Sequence, residues 1–79
     1  MTSRALLAYN MKRLRNLHKL TQQDLADLVG CSTPFIGNIE IGKRFPSPEN
    51  LDIIALVLGV PLAELFSTAF EEQREVYVQ

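Results

Sequence analysis

Residues Leu20 to Gly42 constrain this chain more than any other stretch. They read LTQQDLADLVGCSTPFIGNIEIG, a pattern of two short helices separated by a glycine turn. Thr21 is a good helix N-cap, and Asp24 stands three residues on, in the position of a capping box. Leu25, Ala26 and Val29 supply one inward face at helical spacing. Gly30 stands where a left-handed residue would end the helix. Ser32 starts a second helix whose apolar face is Ile36 and Ile39. Pro34 comes early enough in it that its missing N–H costs little. A chain with this punctuation has little freedom between Thr21 and Ile41.

The flanks extend the pattern. Leu7, Met11, Leu14 and His18 recur at helical spacing, which predicts a first helix from Ser3 to about His18. The loop Lys43-Arg44-Phe45-Pro46-Ser47-Pro48 cannot continue a helix past its prolines. Ser47 or Pro48 opens a fourth helix, with Leu51, Ile54, Ala55 and Leu58 inside and Gly59 as its stop. Pro61 starts a fifth, from Leu62 to about Thr68. Clean two-residue alternation is missing, apart from a weak hint at Val76-Tyr77-Val78. The expectation is an all-α bundle of five short helices. Residues 1–68 form the domain, with its central motif at 21–41, and residues 69–79 form a tail or helix extension.

Seventy-nine residues leave no room for a second core. Apolar content is 47%, ordinary for a globular chain and too high for disorder. No apolar run approaches the roughly 20 residues that span a membrane, and the N-terminus lacks the apolar core of a secretory signal. Cys31 is the single cysteine, which fits a reducing cytoplasm. One cysteine and one histidine give no metal set and no nucleophile–base pair. There is no glycine loop for phosphate. The expectation is a cytoplasmic non-enzyme with no cofactor, no metal and no small-molecule ligand.

Net charge is −1, but it is unevenly spread. Residues 1–23 carry Arg4, Lys12, Arg13, Arg15 and Lys19 and no acid, whereas residues 45–79 carry six acids against Arg74 alone. Such a molecule can turn a basic face to phosphates and hold its acids elsewhere.

Two helices about a tight turn are the sequence form of a helix-turn-helix, whose second helix enters the major groove of DNA. The chain resembles the phage-repressor and Cro-like regulators, also called the xenobiotic-response-element family. The resemblance covers roughly Met11 to Phe66. It is carried by Leu14-Arg15, Leu20-Thr21-Gln22, Leu25-Ala26, Gly30, Ile36, Ile39-Glu40, Gly42-Lys43, Pro46-Ser47, Leu51, Ala55, Leu58-Gly59-Val60 and Leu65-Phe66, in order and at the family's spacing. It implies a compact five-helix, lambda-repressor-like DNA-binding domain.

By that resemblance, Arg15 and Glu40 form a structural lock between the first and third helices. Gln22, Ser32, Lys43 and Arg44 meet DNA phosphates, and Thr33, Pro34, Gly37 and Asn38 face the bases. Only Asn38 among these four has an amide suited to a purine edge. Ile53, Leu56, Leu62, Phe66 and Phe70 are apolar where the family's dimer interface lies. The expected partners are double-stranded DNA and a second copy of the chain. The rival expectation is a protein-interaction module, such as an antitoxin or adaptor, that has lost base contacts. Phe35 and Cys31 are expected to pack rather than to act.

Overall fold

The computed structural model describes residues 1–69. Four α-helices run in order: α1 (Ser3–Leu17), α2 (Gln22–Val29), α3 (Thr33–Glu40) and α4 (Pro48–Leu58), followed by a 3-10 turn (Leu62–Phe66). The all-α class is as expected. The expected fifth helix is instead one tight 3-10 stretch that stops at Phe66 rather than at Thr68. Five residues cannot close several α-type hydrogen bonds, and tighter i→i+3 bonding is the usual outcome in so short a piece. The Phe70 and 70–79 part of the expected tail lies outside the described residues.

Each α-helix starts on a side-chain cap. Thr2, Thr21, Ser32 and Ser47 accept hydrogen bonds from the backbone N–H of Ala5, Asp24, Phe35 and Asn50. The capping box at α2 is complete, because Thr21 N–H also donates to Asp24 Oδ2 at 2.9 Å. Aspartate is long enough there, and those bonds hold the Asp24 carboxyl below the ordinary carboxylate range.

α2 and α4 each end on a left-handed glycine, Gly30 and Gly59. α1 ends instead on Lys19, a non-glycine residue at φ 57°. Lys19 N–H donates to Asn16 and Leu20 N–H to Arg15, so a Schellman motif forms without glycine.

The core is a single cluster. Leu7 and Met11 of α1, Leu25 of α2, Ile36 and Ile39 of α3, Ile54 and Leu58 of α4, and Leu65 of the 3-10 turn are fully buried. Burying each such side chain contributes about 1.5–3 kcal/mol relative to leaving it in water. Ala26 is 1% exposed, where α2 packs on α3; a larger side chain there would push the two helices apart.

Asn10 is the unexpected member. It lies on the same buried stripe as Leu7 and Met11 and is 0% exposed. Its amide donates to the carbonyls of Leu65 at 3.1 Å and Ser67 at 3.0 Å. A buried amide would cost about 1–3 kcal/mol if left unpaired, so these bonds fix the 3-10 turn against α1. Phe66 is half-buried and stacks on Phe45, with ring centroids 6.2 Å apart.

Candidate nucleic-acid interface

α3 is the element that the rest of the fold presents to solvent on one side. Its inner side is Ile36, Ile39 and Glu40, all buried. Glu40 is held by Arg15 in a two-pronged ion pair: Nε to Oε2 at 2.7 Å and Nη2 to Oε1 at 2.9 Å. This is the one ion pair among the described residues. Arg15 also donates from Nη1 to the carbonyl of Leu20 at 2.8 Å. A guanidinium fork matches a carboxylate in this way, and the planar fit fixes orientation as well as distance. The bond to Glu40 raises the Arg15 pKa and outweighs burial, which lowers it.

Gln22 joins this lock, which its place in the sequence does not reveal. Its Nε2 donates to Glu40 Oε1 at 3.2 Å. The first residue of α2 is thereby tied to the last residue of α3. The same amide lies over Gly37. A β-carbon at position 37 would stand 3.6 Å from Gln22 Oε1. Gly37 thus faces the Gln22 side chain, and the direction a side chain would take there leads to α2.

Of the other residues expected to face bases, Pro34 is exposed, while Thr33 and Asn38 are half-buried. Ser32 is exposed, and its hydroxyl caps α3 by accepting from Phe35 N–H at 3.2 Å. Phe35 and Cys31 are half-buried and pack on the core; burial pushes the Cys31 thiol pKa up.

Beyond α3, Gly42 takes a left-handed turn at φ 76°. Lys43 and Arg44 follow, and both are exposed. Their backbone N–H groups both donate to the carbonyl of Asn38, at 2.8 and 3.1 Å. The loop that carries these two cations is therefore bonded to the helix it follows.

The residues expected at a dimer interface divide. Leu56 is 80% exposed, Leu62 43% and Ile53 37%. Phe66 is engaged inside the chain by its stack on Phe45. Phe70 lies outside the described residues. His18 caps the end of α1, and its Nε2 lies 2.8 Å from the carbonyl of Leu58; a carbonyl only accepts, so that nitrogen carries the hydrogen. Among the described residues, no three His, Cys, Asp or Glu side chains gather where they could share a metal ion. No helix among them is long and apolar enough to cross a membrane.

Comparison with known proteins places this arrangement. A family model described as helix-turn-helix matches residues 11–65. The chain is 36% identical over 64 residues to the uncharacterized HTH-type transcriptional regulator YqaE of Bacillus subtilis, a match covering 81% of this chain and 55% of that one. It is 30% identical over 67 residues to control protein C.SmaI of Serratia marcescens, covering 85% and 80% of the two chains. Among solved structures, it resembles the restriction-modification controller protein C.AhdI from Aeromonas hydrophila with a TM-score of 0.76 and 30% identity. That likeness covers 80% of this chain and 96% of the other.

Proposed function

The chain belongs to the helix-turn-helix family of DNA-binding transcriptional regulators, and we propose that it acts as a homodimeric repressor that inserts α3 into the major groove of double-stranded DNA. The observation that carries this reading is the fixing of α3 from behind. Arg15, Glu40 and Gln22 hold its inner side, while Pro34 is exposed and Thr33 and Asn38 are only half-buried. A recognition helix must keep a set orientation while its outer residues meet base edges.

In this reading Asn38 bonds adenine through N7 and N6, and Pro34 lies against a thymine methyl. Thr33 offers a hydroxyl and a methyl group. Gly37 adds no group of its own and leaves the Gln22 amide close to the helix. Gln22 keeps a second amide N–H for a phosphate at the start of α2, where free backbone N–H groups also favour an anion. Ser32, Lys43 and Arg44 supply further phosphate contacts. Two chains pair through the apolar residues Ile53, Leu56, Leu62 and Phe66. The protein works in the cytoplasm without cofactor, metal or catalysis of its own. Its likeness to two control proteins supports regulation by one small domain.

Selection of bound duplexes from a random pool tests this. The expected product is a two-fold symmetric site with half-sites about 34 Å apart, one turn of the double helix. Light scattering should give a dimer at tens of micromolar chain, and a Leu56→Glu variant should shift it to monomer. A second reading, an antitoxin-like or adaptor module, is favoured by the short set of base-reading groups on α3. It expects no enriched sequence and duplex binding that is indifferent to salt.

A further inference from the structure

The outer face of α1 carries cations that the motif itself does not use. Between α1 and the end of α3 runs a cleft of about 790 Å³. Arg4, Ala5, Ala8, Lys12 and Gly42 line it, as does Glu40, whose carboxylate is already held by Arg15. Arg4 and Lys12 stand eight residues apart on one side of α1, so about 12 Å separates them along the helix axis. Both are exposed, and neither joins an ion pair among the described residues.

Arg4 is also held in place. Its guanidinium lies 5.9 Å from the centre of the Phe45 ring, and Phe45 in turn stacks on Phe66. A cation over an aromatic face is attracted to it and loses little by being fixed there. Phe45 follows Lys43 and Arg44 directly, so this stack sets Arg4 beside the phosphate-contact loop. Arg13 lines the same cleft but donates inward, from Nη2 to Asn10 Oδ1 at 3.3 Å. The two outward cations are therefore Arg4 and Lys12.

We propose that this cleft seats a phosphodiester strand flanking the half-site, with Arg4 and Lys12 as its phosphate ligands. Two exposed cations beside small alanines in one cleft suit a narrow anionic strand. DNA is the occupant because Gly42, which lines the cleft, leads straight into Lys43 and Arg44. The clamp extends the interface past the two-helix motif and adds affinity without sequence choice. It rests on the DNA-binding function proposed for α3.

The test uses the full chain and a random-sequence duplex, with affinity measured by anisotropy across a range of salt. Each phosphate that a cation no longer neutralises should lower the slope of log affinity against log salt by about 0.9. The double variant Arg4→Ala/Lys12→Ala should therefore flatten it by about 2 per bound chain. Both side chains are exposed, so its melting temperature should fall by no more than the few degrees that losing the Arg4–Phe45 contact costs. Arg4→Lys keeps the charge and should keep the slope. An unchanged slope in the double variant, with Lys43→Ala/Arg44→Ala flattening it, would overturn the clamp and leave the DNA-binding function standing. Salt-insensitive binding by the unaltered protein would overturn both.

Discussion

The two sides of α3 are built to opposite standards. The inner side is saturated: Ile36 and Ile39 are 0% exposed, and Glu40 receives three hydrogen bonds from Arg15 and Gln22. The outer side is sparse, with an exposed proline and one amide suited to a base. An eight-residue helix is marginal by itself, so its persistence depends on packing, capping and the lock. The contrast teaches that folding demands fall on one side of this helix and leave the other free to vary with the DNA it meets.

The largest effect that would sharpen the contrast is on the inner side. Glu40→Ala leaves Arg15 buried without its partner and should destabilise the fold by about 3–5 kcal/mol. In a domain of this size that lowers Tm by more than about 10 °C, readable in a thermal melt. A melt within a degree or two of the unaltered protein would show that the inner side does not depend on the lock. On the outer side, Asn38→Ala should cost about 1–3 kcal/mol of discrimination between the selected site and a scrambled one. Its Tm should hold, because the Asn38 carbonyl that anchors the following loop is retained. Competition titration on the two duplexes reads this.

Gly37→Ala probes the boundary between the sides. Its φ is not left-handed, and the new β-carbon would meet Gln22 at an ordinary 3.6 Å. The variant should gain about 1 kcal/mol in helix propensity, seen as a Tm several degrees higher. A lower Tm would mean that the Gln22 amide needs the glycine's open space. The smallest effect is at the Asp24 cap of α2. Its carboxyl is held below the usual range by the Thr21 N–H and hydroxyl. Its contribution is therefore present above the unfolded-state value, about 3.9, and is lost as pH falls through the lower folded value. Asp24→Ala should melt slightly below the unaltered protein at neutral pH and converge with it in acid.

Most of this scaffold is legible in the sequence because its signals are local. Thr21 with Asp24, Gly30, Ser32 and Ser47 with Pro48 each act within a turn of themselves, and short-range geometry can be read from spacing. Arg15 with Glu40 is legible only through family resemblance, since 25 residues separate them. Asn10 escapes a reading by pattern because its partners are backbone carbonyls 55 and 57 residues away. Its one signal is an amide on the Leu7–Met11 stripe, a position that demands a buried partner. Gln22 reads as a phosphate contact, and its bond to Glu40 depends on a packing that no periodicity encodes. Pro61 and the apolar residues after it suggest a fifth helix, but the segment ends too soon to close α-type turns.

The carbonyl of Asn38 receives the N–H groups of both Lys43 and Arg44. In the proposed complex these two bonds tie the base-reading helix to the phosphate-holding loop, like a gauge whose jaws share one frame. A site whose base and phosphate positions mismatch that gauge is met by a shift of the loop only if those bonds are given up. The DNA must bend or twist to fit, at a cost set by the stiffness of its own sequence. Base pairs that no side chain touches then acquire a vote in which site is bound.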